Sequence, residues 1–187
     1  MAEFLYVLPC AYEDLVKLGI SRQPLQRVRA YSPRWFEFFD LDHALLLEAD
    51  DRREVQAWET RLKRELKLSN APAPLMVAEL AAGHTEWFRG SHADITAFMQ
   101  GQAEQGFRLH LPARDWLRQA LDAESDRLYS WSEAMLQSLE ELGDCPASKP
   151  LQQSLRDACD AQLAMGLPLG ERVPTAVLTW HHGNTLR

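Results

Sequence analysis

The chain has 187 residues and a formal net charge of −7, with 46% apolar and 25% charged residues. This is ordinary globular composition with material for a sizeable core, and the acidic sum argues against a general nucleic-acid coat. No run approaches the ~20 apolar residues of a membrane span, and the acid at Glu3 without a basic flank makes a poor signal peptide.

FLYVL (4–8) and LVKLGIS (15–21) predict two short strands joined by a polar loop containing Pro9, Glu13 and Asp14. SRQPLQRVRAY then predicts a helix, with Ser21 a candidate N-cap, Pro24 tolerated in the first turn, and Leu25, Val28 and Tyr31 as its apolar face. Ser32-Pro33 stops it. The aromatic-rich WFEFFDLDHALLLEA (35–49) reads as a third strand. Residues 50–67 read as a helix, with Val55, Trp58, Leu62 and Leu66 at 3- and 4-residue spacing.

SNAPAPLMVAELAAGHTEW opens as a loop, and its Ala-Pro-Ala-Pro stretch disfavours regular structure. Glu86-Trp87-Phe88 is a brief strand or an aromatic anchor, and Ser91 opens a helix over roughly 92–104. Residues 112–142 carry one long helical pattern through Trp116, Leu117, Leu121, Leu128, Trp131, Met135 and Leu139. Gly143 stops it, a second helix is expected over 148–165, and the two pair as a hairpin. In the Pro- and Gly-rich tail, VLTW is a candidate strand. The expected class is α+β: a small three-stranded mixed or antiparallel sheet flanked by helices in 1–110, followed by a helical extension over 111–187.

Charge is unevenly spread. Lys17, Arg22, Arg27, Arg29 and Arg34 follow one another with no intervening acid, so a local basic patch able to hold a phosphate survives the acidic total. Three scattered cysteines, Cys10, Cys145 and Cys159, suit reduced thiols in the cytoplasm. The six histidines lack metal-ligand spacing, and no phosphate-loop or nucleophile-elbow motif occurs. Tyr6, Lys17, Arg27 and Glu59 remain as the chemical candidates. Phosphodiester hydrolysis needs a base for water, a cation on the scissile phosphate and a divalent metal at the leaving oxygen. A phenol, an arginine and a glutamate can fill these roles. Glu59 and Lys63 are equally spaced as an ordinary i,i+4 helical ion pair.

On these residues the first half of the chain, about 3–100, resembles the GIY-YIG nucleases. Leu5-Tyr6-Val7 matches the first signature triplet without its leading glycine, and Lys17-Leu18-Gly19 stands at the second, with lysine in place of tyrosine. A phage and bacterial branch is similar in carrying V-K-[IL]-G, then Pro-x-x-Arg, then Glu-Trp-Phe; here these are Val16–Gly19, Pro24–Arg27 and Glu86–Phe88. The resemblance implies a DNA endonuclease using one Mg²⁺ or Mn²⁺. It makes Tyr6 the base or water-orienting group assisted by Lys17, Arg27 the phosphate clamp, Tyr31 a further catalytic residue, Glu59 the metal ligand, and Gly19, Arg22 and Arg29 substrate-binding. Only Asn70 stands near the family's later asparagine. The alternative is a catalytically inactive module that keeps the fold for nucleic-acid or protein binding. The 112–165 helices, acidic on their exposed face, are candidates for a homodimer or protein interface.

Overall fold

A computed structural model describes residues 2–77 and 85–184, which form two compact units, Met1–Leu117 and Arg118–Arg187. Residues 78–84, with His84 and the rest of the expected loop, lie outside the described residues. No helix among the described residues is long and apolar enough to cross a membrane.

The first unit is built on an antiparallel sheet. Its long central strands are the expected ones: β1 (Glu3–Pro9), β2 (Leu15–Ser21) and β3 (Leu45–Ala49). Three short strands widen it to six: β4 (Asn70–Ala71), β5 (Trp87–Arg89) and β6 (Arg108–His110), in the order β4-β5-β2-β1-β3-β6. β5 answers the brief strand offered at Glu86-Trp87-Phe88, while β4 and β6, of two and three residues, are too short to leave an alternation in the sequence.

Pairing register sorts the side chains. Tyr6 lies opposite Gly19 and Leu46, and Lys17 lies opposite Leu8 and Trp87, so these residues share one face. The other face presents Leu5, Val7, Val16, Leu18, Leu47 and Phe88. Against it pack Val55, Trp58 and Leu62 of α3 (Arg52–Glu65) and Ile95 and Met99 of α4 (His92–Glu104). Both helices sit within the expected bounds because their apolar residues recur at helical spacing.

The face bearing Tyr6 and Lys17 is covered by α1 (Pro24–Tyr31) and by the one-turn helix α2 (Trp35–Phe38). Pro24 is in the first turn of α1, but the N-cap is Gln23; Ser21 Oγ accepts from the Gln23 N–H at 2.9 Å. The expected strand over 35–49 forms only at its end. Trp35 to Phe38 turn as a helix, and the Asp40 carboxylate accepts from the N–H groups of Asp42 and His43, making a side-chain-bonded turn before β3. The aromatic enrichment there reflects burial of Trp35 and Phe39.

After α5 (Ala113–Asp122), the second unit contains α6 (Ser125–Leu142), α7 (Ser148–Ala164) and α8 (Thr175–Asn184). The single helix expected over 112–142 is thus broken at Ala123-Glu124. The α6–α7 hairpin forms, closed over Leu136, Leu139, Leu155 and Cys159. VLTW is helical: Val177 and His181, four apart, are the buried residues of α8, a helix period that a four-residue apolar run conceals.

Candidate active site

The antiparallel β1–β2 pair places Tyr6 over Gly19. A Cβ on Gly19 would lie 2.3 Å from the Tyr6 Oη and 2.6 Å from its Cζ, so glycine makes room for the phenol ring. Gly19→Ala is expected to displace the ring and cost about 1–3 kcal/mol, read as a lower urea midpoint. A variant as stable as the wild type would mean the ring can move aside freely.

Tyr6 is buried and shares a hydrogen bond of 2.9 Å with the hydroxyl of Tyr31, at the end of α1. Arg27 Nε, one helical turn earlier, donates to the Tyr6 Oη at 3.2 Å, and its guanidinium lies 5.1 Å from the centre of the Tyr31 ring. Four-residue spacing on α1 puts Arg27 and Tyr31 on the same face. Burial raises the Tyr6 phenol above its ordinary value despite the bonds from Tyr31 and Arg27. Tyr31 is raised likewise, by burial and by Tyr6. Burial works against the Arg27 charge, but the bonds and charges of Tyr6 and Tyr31 together outweigh it and raise the guanidinium above its ordinary value.

Lys17 is fully buried on the same face. Its Nζ donates to Glu86 Oε2 at 2.7 Å and to the Leu18 carbonyl at 2.9 Å, and lies about 6 Å from the ring centres of Tyr31 and Trp87. Burial draws the ammonium down to about 8, against the opposing pull of Glu86. Glu86 just precedes β5, and its backbone carbonyl accepts from the Leu18 N–H. Its other oxygen accepts from Lys63 of α3 at 2.5 Å, and Lys63 in turn lies 3.2 Å from Glu59. Burial disfavours the Glu86 charge, but the two lysines hold its carboxyl below the usual range. Glu59, Lys63, Glu86 and Lys17 therefore form one alternating chain of charges. The charge of Glu86 acts on Tyr6 and that of Arg27 on Lys17, so the chain of charges and the tyrosine cluster lie within electrostatic reach.

The residue types singled out Tyr6, Lys17 and Arg27, the family resemblance added Tyr31, and the structure brings the four together. Glu59 joins through Lys63, in the i,i+4 pair that its spacing also allowed. Arg22 instead bonds the buried Glu3 carboxylate. Arg29 lies in the last turn of α1, two residues beyond Arg27 and hence on a different side of the helix. Asn70 Nδ2 donates to the Thr85 and Trp87 carbonyls, tying down the start of β5. Two members of the cluster, Glu86 and Lys63, had no site role from spacing. The usable signal was Lys17 itself: a lysine between Val16 and Leu18 in a buried strand requires a carboxylate.

Residues 3–101 match the T5orf172 domain. The chain belongs to the T5orf172 domain family. This is a family of phage and bacterial nuclease-like domains. The matched span takes in the whole cluster from Tyr6 to Glu86. No curated protein and no solved structure matches the chain significantly. The T5orf172 match ends within α4 and leaves the second unit outside it.

Proposed function

We propose that the T5orf172 unit is a GIY-YIG-like endonuclease that hydrolyses phosphodiester bonds in DNA. The observation that carries this reading is the contact of Tyr6, Tyr31 and Arg27 beside a fully buried lysine. Arg27 supplies a fixed positive charge for the scissile phosphate. Tyr6, raised by burial, is suited to orienting the attacking water more than to ionising itself. Lys17, at about 8, is the group of the cluster nearest neutrality; sealed from solvent, its neutral form takes up the water's proton through the part-exposed Glu86 carboxylate bonded to it.

The family resemblance implies one Mg²⁺ or Mn²⁺, for which Glu59 and Glu86 are the carboxylates at hand beside the cluster. Glu59 and Glu86 already share one cation, the Lys63 ammonium, and Mg²⁺ is commonly held by one or two carboxylates with substrate oxygens. When bound, the ion would stabilise charge on the leaving oxygen. Plasmid nicking with added Mg²⁺ or Mn²⁺ tests the reading. Wild type is expected to cleave with metal, and Glu59→Ala to lose the response. Absence of metal-dependent cleavage, or cleavage indifferent to Glu59→Ala, would sink it. That outcome would favour a binding-only module, a reading supported by Lys63 occupying both carboxylates.

The pH dependence follows from Lys17. Its neutral fraction grows as pH passes about 8, so the cleavage rate climbs with pH and levels off above that value. Lys17→Met is expected to remove the rising limb. A rate that instead falls above pH 8 would mean the lysine works as a cation.

A further inference from the structure

The outward side of α3 is strongly basic and plays no part in the cluster around Tyr6. Val55, Trp58 and Leu62 bury the inner side of this helix, which fixes what faces outward. There, Arg53, Gln56, Ala57, Thr60, Arg61 and Arg64 line a shallow groove of about 490 Å³. From Arg52 to Lys67 the helix and its following turn carry six bases, Arg52, Arg53, Arg61, Lys63, Arg64 and Lys67, against Glu54, Glu59 and Glu65. This runs against the net charge of the chain, −7.

The arginines are differently held. Arg61 pairs with Glu65 at 2.8 Å and stacks 5.1 Å from the centre of the Phe98 ring of α4, which pre-orders its guanidinium. The Arg53 and Arg64 side chains form no ion pair among the described residues and are exposed. Ala57 is the sole apolar residue lining the groove, so it lacks the aromatic or aliphatic anchor on which protein partners depend. Arg53 to Arg64 spans roughly 16 Å at 1.5 Å per residue. Laid along the duplex axis, that length passes four to five phosphates of one strand at about 3.4 Å of rise each.

We propose that the outer face of α3 tracks the phosphate backbone of duplex DNA, with Arg53, Arg61 and Arg64 as the contacts. The inference rests on the nuclease reading for its choice of partner. It adds where the duplex lies beyond the scissile bond. Glu59 and Lys63 occupy one flank of the same helix, about a third of a turn from the arginine stripe. A strand leaving the cluster along α3 therefore meets the stripe next.

The test is fluorescence anisotropy with a labelled DNA duplex of roughly 20 base pairs, long enough to cover this stretch. It is run in EDTA so that cleavage plays no part. Replacing Arg53, Arg61 and Arg64 by Gln is expected to weaken binding at least about tenfold and to lower the slope of log K against log salt by about two to three. A charge-matched control, with Arg118, Arg127 and Lys149 changed to Gln, keeps the wild-type slope. Single Arg53→Gln and Arg64→Gln variants, both at exposed positions, lower it by about one each and guard against misfolding of the triple. A triple variant with the wild-type slope, an equal loss in the control, or no binding by the wild type at low salt each overturns the proposal. Stripe-dependent binding without metal-dependent nicking would leave the proposal standing and remove the nuclease reading. Nicking with stripe-independent binding would do the reverse.

Discussion

Arg27→Ala is expected to lower metal-dependent nicking by about 100- to 1,000-fold, the usual cost of removing one pre-positioned charge donor from an active site. The guanidinium is fixed by its bond to Tyr6 and its place beside the Tyr31 ring, so it needs little reorganisation to meet developing phosphate charge. Folding should be spared, because α1 is anchored by buried Leu25, Val28 and Tyr31 on either side of it. Arg27→Lys retains the charge but not the planar fork, and is expected to recover only part of the rate. Plasmid nicking with a thermal melt of each variant separates catalysis from stability. A loss smaller than about threefold for Arg27→Ala, well below the range for such a donor, would remove Arg27 from the reaction.

The second large effect is on stability. Glu86→Ala leaves the Lys17 ammonium in a fully buried site with only the Leu18 carbonyl as partner. Breaking a buried pair from one side costs about 3–5 kcal/mol, and the lower end applies here because Glu86 is 22% exposed and water reaches it. Urea denaturation is therefore expected to show a loss of about 3 kcal/mol. Adding Lys17→Met should restore most of it, since methionine fills similar volume without an ion to desolvate. A single-variant loss below about 1 kcal/mol would mean the lysine finds water or a new partner once Glu86 is gone. On the proposed mechanism the pair has a fold role and a site role together, and the double variant is expected to separate them: stable, but inactive.

Much of this architecture was legible in the residues taken in order. Tyr6 to Arg27 is a short stretch whose strand-loop-strand-helix pattern is local, and local pattern follows from backbone sterics and hydrophobic periodicity. α3 and α4 were readable for the same reason. The failures also have physical causes. Trp35 to Phe38 looked like a strand because aromatic residues favour strands, yet the Asp40 turn and the packing of the following Phe39 against Tyr31 and Trp87 decided otherwise. VLTW was too short to reveal its period.

What the amino-acid sequence determined by itself was the inventory and spacing of the site: a tyrosine on β1, a lysine and glycine on β2, an arginine and tyrosine one turn apart on α1, and a glutamate on α3. What only the tertiary structure decided was which charges neutralise which. Glu86 is distant from Lys17 in sequence, and no periodicity links them. They meet because β5 pairs with β2, and a buried ammonium must take the nearest carboxylate that the sheet delivers. The β1–β2 pairing likewise brings Arg22 beside Glu3, and burial of Val55, Trp58 and Leu62 leaves Arg53, Arg61 and Arg64 of α3 facing outward.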